Sequence, residues 1–178
     1  MKKLTILTFV AAMMILMSSF AGAQTATGVL TVTATVNSSL KLVFNSDGSG
    51  VPLSSGGGTN AATLAFGPVS ALGPIAANIT RSVVPGTSFT VSTPVDVNVT
   101  KSNVASANYT LTANLGAADA VNTWKVGGVT VTSGPAATIT ATGAYAANVS
   151  EAIAITIPDT TANGTVINNT ITFTATAN

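Results

Sequence analysis

Apolar and hydroxyl-bearing residues alternate one for one along much of this chain, and that period constrains its fold more than any other feature. From Leu30 the even positions read Leu30, Val32, Ala34, Val36, and then Leu40, Leu42 and Phe44. Between them stand Thr31, Thr33, Thr35, Asn37, Ser39 and Lys41. Successive side chains of a strand point to opposite faces, so a period of two describes a half-buried strand and not a helix. The run is too long for one strand and is expected to break near Asn37-Ser38-Ser39. Phe89, Val91, Thr93, Val95, Val97 and Val99 repeat the pattern against Thr90, Ser92, Pro94, Asp96, Asn98 and Thr100. Pro94 has no N–H for a ladder, which predicts an edge or a bulge there. Ile167, Asn169, Ile171, Phe173, Ala175 and Ala177 close the series.

Shorter runs lie between. Tyr109, Leu111, Ala113 and Leu115 predict a strand, as do Ile153, Ile155 and Ile157 before Pro158-Asp159. Trp124 and Val126, then Gly127-Gly128, then Val129 and Val131, predict a two-residue hairpin. Ile139 and Ala141 make a weaker strand, Leu64 and Phe66 a short one ending at Gly67-Pro68, and Asn163-Gly164 a turn. Asn45–Asn60 is rich in Gly and Ser and reads as a flexible loop. Residues 69–85 are expected to be irregular or edge structure. The sum is seven to nine strands with no helix after the leader, an all-β chain. The expected architecture is an antiparallel β-sandwich of immunoglobulin-like type in one domain. The Cys…Trp…Cys signature of antibody domains is absent.

The N-terminus has the form of a bacterial export signal. Lys2 and Lys3 precede an apolar stretch from Leu4 to Met17, and Ala21-Gly22-Ala23 fits a cleavage site. Residues 1–23 are therefore expected to be removed, leaving Gln24 as the first residue and no retained membrane span. The destination is the periplasm, the cell surface or the medium.

Composition narrows the chemistry. The chain has no Cys and no His, six Lys and Arg, and five Asp and Glu. This excludes a disulfide framework, a Cys/His zinc site, a Cys or His catalytic pair and a basic nucleic-acid surface. A hydrolase would need a carboxylate pair. Asp96 and Glu151 read as members of solvated strand faces, so no catalytic residue, metal or cofactor is expected. Asn45-Ser46-Asp47-Gly48-Ser49-Gly50 has the outline of a calcium loop but only one carboxylate. Trp124 is expected in the core, although Trp124, Tyr109 and Tyr145 could instead form a sugar-stacking platform.

The two ends of the sandwich sequence resemble subunits of chaperone–usher pili and the related spore-coat-U-like secreted domains. The residues concerned are Thr27–Val36, with the alternating strand pattern, and Thr170–Ala177, the last such strand. The resemblance implies that 24–38 is a donor strand completing the sandwich (39–178) of a neighbouring subunit. Leu30, Val32, Ala34 and Val36 would fill the neighbour's groove, and Gly28 would permit close backbone approach. Ile171, Phe173 and Ala175 would line the acceptor side. It further implies self-association into a polymer, with a periplasmic chaperone and an outer-membrane usher as partners. The chain departs from that family in lacking the paired cysteines, Ser39 standing near the first position, and in lacking a Tyr near Asn178. The alternative reading is a self-contained cell-surface module for adhesion or carbohydrate binding, with residues 28–36 as its own first strand.

Overall fold

A computed structural model describes residues 28–178, so the leader lies outside the described residues. The chain divides after Thr35. Val36–Asn178 form an all-β unit of nine strands in two antiparallel sheets, with no helix among the described residues. In chain order the strands are β1 (Ser39–Ser46), β2 (Thr80–Val84), β3 (Ser88–Ser102), β4 (Asn108–Leu115), β5 (Thr123–Val126), β6 (Val129–Val131), β7 (Ala137–Ala144), β8 (Asn148–Pro158) and β9 (Ile171–Ala177). The larger sheet runs β1-β3-β8-β5-β6, with β2 also on β3, and the smaller runs β7-β4-β9.

The long alternation of 89–99 becomes β3, the strand on which the larger sheet is built. Phe89, Val91, Thr93, Val95, Val97 and Val99 are all buried, and the residues between them face outward. β8 pairs along one edge of β3, while β1 and β2 share the other edge end to end. Pro94 therefore sits inside the sheet and not on an outer strand. Its place is still a gap: β2 pairs up to Ser92 and β1 begins at Val95, so Thr93 and Pro94 have no strand partner on that edge. Gly50 fills the space, where a Cβ would run into the Pro94 carbonyl oxygen. Thr93, buried on the inner face, secures the same gap. Its hydroxyl donates to the Asn78 carbonyl at 2.9 Å and accepts from the Val51 N–H at 2.7 Å.

The Gly127-Gly128 hairpin forms as expected, with φ of 55° and 83°, the mirror-image turn that suits strand twist. Between the sheets lies a core around Val91, Leu115, Trp124, Val126 and Ile155, continued by Val97, Val99, Tyr109 and Leu111. Tyr109 is fully buried, its ring against Gly143 of β7. Two sequence expectations change. Leu64–Phe66 form no strand beyond a bridge at Thr63, and the last strand starts at Ile171 and not at Ile167. Gly28–Ser38 carry no strand assignment.

Gly143→Ala places a methyl group inside the Tyr109 ring, which has no free space to move into. The expected cost is about 1–3 kcal/mol by overpacking, seen as a lower urea midpoint with an unchanged far-UV spectrum.

Candidate functional site

Six strands face three, and the three do not cover the whole inner face of the six. On the β9 side a groove of about 850 Å³ opens over that face. Its floor is Val91 and Val95 of β3, Trp124 of β5 and Ile153, Ile155 and Ile157 of β8. One wall is the segment 62–69, on which Leu64 and Phe66 pack against the core. The other is 163–171, which leads into β9 and contributes Ile167 and Ile171. Phe44 of β1 and Phe173 of β9 meet edge to face across the opening, centroids 5.2 Å apart.

The incomplete cover shows in the burial of each strand. β4, in the middle of the small sheet, buries Tyr109, Leu111, Ala113 and Leu115 almost completely. β9, with the same alternation, leaves Ile171, Phe173, Ala175 and Ala177 only half-buried. It ends its sheet, so its second edge has no strand partner among the described residues. A half-covered apolar row beside an open strand edge is the arrangement that β-strand addition completes.

Of the acceptor residues read from the sequence, Ile171 and Phe173 line the groove. Ala175 lies beyond it, against the cluster of Val97, Tyr109 and Leu111. The floor was not recognised as a site from the sequence, because its residues look like ordinary core. Only the strand count on each side shows that segments outside the strands, with Leu64, Phe66 and Ile167, cover them in place of a further strand. Leu64, Phe66 and Ile167 carried the alternation signal but no sign of their position. On the donor side, Val29, Leu30, Val32 and Val36 are 97, 86, 79 and 73% exposed. Ala34 is exposed too, and a Cβ at Gly28 would meet nothing within 4 Å.

The aromatic residues form no stacking platform. Trp124 is buried and donates its indole N–H to Asp119 at 2.8 Å. Burial alone would raise the Asp119 pKa. Hydrogen bonds from the Asn122 backbone, the indole, the Asn122 amide and the Val121 N–H outweigh it and bring the pKa down to about 2. Tyr109 is enclosed, and Tyr145 packs on its ring with the Lys101 ammonium 4.7 Å above the Tyr145 ring centroid.

The carboxylates divide between the two faces of the larger sheet. Asp96 lies on the outer face and accepts from the Asn148 amide at 3.2 Å. Its pKa is raised by partial burial and by the charge of Asp47. Asp47 does not stand alone in its loop: Ser150 and Ser49 donate to it at 2.6 and 2.7 Å and hold its pKa near 2. No group of three or more metal-ligating side chains occurs among the described residues. Glu151 corrects the sequence reading, which placed it on a solvated face. It shares parity with Ile153, Ile155 and Ile157, and it is buried with them. Among the described residues its side-chain hydrogen bond comes from the Thr140 hydroxyl at 3.2 Å, and Gly127 leaves the space its carboxyl occupies. Asp96 and Glu151 therefore face opposite sides of the sheet and cannot flank one bond.

Comparison with protein-family models, with characterised proteins and with solved structures gave no match.

Burial raises the Glu151 pKa in the folded state, the Thr140 hydroxyl offsetting this only in part. The folded chain thus holds this proton more tightly than the unfolded one, where the carboxyl titrates near 4.3. The stability linked to the proton is full below that value and is lost as pH rises through the folded pKa. Glu151→Gln is expected to match the parent below about pH 4 and to be more stable at pH 7. Urea denaturation of both proteins across that range measures the difference.

Proposed function

We propose that this chain is an exported structural subunit of a surface filament or coat, assembling by strand addition between copies. Residues 28–36 of one copy enter the groove beside β9 of the next. One conjunction carries the reading. Among the described residues the sandwich has no strand beside β9, and the same chain holds a segment, 28–36, without a strand assignment whose side chains alternate as a covering strand requires. Leu30, Val32, Ala34 and Val36 face the groove, while Thr31, Thr33 and Thr35 continue the outward hydroxyl row of Thr172, Thr174 and Thr176. Main-chain bonds to β9 supply affinity, and the alternate side chains set register.

An unfilled copy exposes both a groove and a strand edge, each prone to aggregation. A subunit of this kind needs a chaperone until assembly, and the export pattern of the leader supports a periplasmic step. The role is mechanical, because many bonds must break together before subunits part.

Val32→Asp with Val36→Asp removes two groove-filling side chains worth about 2 kcal/mol each. At tenfold per 1.4 kcal/mol, association should weaken about a thousandfold. The parent, run in SDS without boiling, should give a ladder that collapses to monomer on boiling. The variant should give monomer alone while keeping the parent's far-UV spectrum. Monomer from the parent under both conditions would instead favour a self-contained surface module.

A further inference from the structure

A segment that can complete a neighbour can in principle complete itself, and intramolecular pairing has the advantage of proximity. Residues 28–36 join β1 through Asn37 and Ser38, so folding back would lay them beside β1 as a hairpin. A short flexible link gives an effective concentration of about millimolar. Against subunits at micromolar concentration, an equally strong hairpin would prevail by roughly a thousandfold. Something must disfavour it if copies are to join.

The inward residues of β1 are Leu40, Leu42 and Phe44, and those of the preceding segment are Leu30, Val32, Ala34 and Val36. Opposed residues in an antiparallel pair point to the same face, so the even positions of both must stand opposite one another. With Asn37–Ser39 as the turn, Val36 meets Leu40, Ala34 meets Leu42 and Val32 meets Phe44. Longer turns bring Ala34 or Val36 to Phe44 instead. Every hairpin that passes Val43 therefore needs the outer edge of Phe44.

That edge is already taken. The Phe44 N–H donates to the Thr59 carbonyl at 2.8 Å, and its carbonyl accepts from the Gly58 N–H at 2.7 Å. The loop behind these bonds is not the flexible one its glycines suggest. Ser54 N–H donates to the Thr63 carbonyl and Thr63 N–H to the Ser55 carbonyl, both at 2.9 Å. The Thr59 hydroxyl lies 2.7 Å from the Gly56 carbonyl and 2.9 Å from that of Ala61. Gly56, at φ 74°, packs so closely on Ala61 that a Cβ would overlap its carbonyl.

We propose that the Ser54–Thr63 loop is a clasp on β1 that denies the edge to the chain's own N-terminal segment and reserves that segment for a second copy. With the clasp in place a hairpin is limited to Leu40–Val43. The open edge of β9 on another copy offers seven residues, Ile171–Ala177. The inference rests on the assembly reading above and adds the reason that assembly is intermolecular.

The test uses the full mature chain with Gly58→Pro, which removes the N–H given to Phe44 and cannot adopt φ 79°. Thr59→Ala is the milder second variant, losing only the hydroxyl bonds inside the loop, and it carries the test if the first does not fold. Trp124 fluorescence reports folding. Amide exchange at residues 30–36 and the unboiled SDS ladder report pairing. The expected result is a folded monomer with 30–36 protected and a multimer fraction reduced at least tenfold, less for Thr59→Ala. A folded variant that multimerises like the parent overturns the clasp, and so does a folded monomer with 30–36 unprotected, which would make the loop part of the acceptor. A parent chain that stays monomeric with 30–36 unprotected overturns the assembly reading itself, and the clasp with it.

Discussion

β3 is the strand on which every other part of the larger sheet leans. It pairs with β8 along one edge and with β1 and β2 along the other, and it supplies six consecutive inward side chains to the core. Its length sets the length of the sandwich. In the break between its two edge partners, at Thr93 and Pro94, the 47–79 connection reaches β3, where the Thr93 hydroxyl accepts from the Val51 N–H and donates to the Asn78 carbonyl. A proline in a central strand would normally cost a ladder bond. Here the strand partners stop short of it on that edge, and Gly50 takes their place.

From this frame follows the imbalance that defines the candidate site. The larger sheet presents an inner face wider than β7, β4 and β9 can cover. On the far side the small sheet meets β6, and beside β9 the cover comes from the segments 62–69 and 163–171 in place of a strand. The floor side chains are strongly apolar and well buried, but the side chains of β9 are left half-exposed. Burying such a row is worth on the order of 1.5–3 kcal/mol per large side chain.

Much of the fold was legible because it is local. Period-two patterning located β3, β4 and β8, and the Gly-Gly turn located β5 and β6, since each signal acts within a few residues. Parity also contained the position of Glu151, two residues before Ile153 on the same face. The expectation that charge implies solvent hid it. Errors clustered where pairing decides the outcome. Leu64–Phe66 and Ile167–Asn169 have the alternation of strands, but a strand exists only with a partner, and neither has one among the described residues. The glycine-rich loop misled in the other direction: its glycines permit a tight, close-packed clasp as readily as they permit flexibility.

By itself the sequence determined the all-β class, the inward and outward face of nearly every strand, the main turns, and the absence of cysteine and histidine chemistry. These follow from side-chain alternation, turn residues and composition, which are read one position at a time. Only the tertiary structure decided how many strands lie on each side of the core, that β9 ends its sheet among the described residues, that Trp124 lies in a groove floor with its indole held by Asp119, and that Phe44 is already bonded to Gly58 and Thr59. Those facts depend on which segments meet across long separations. Alternation prescribes the face a side chain takes but not the strand that will stand next to it.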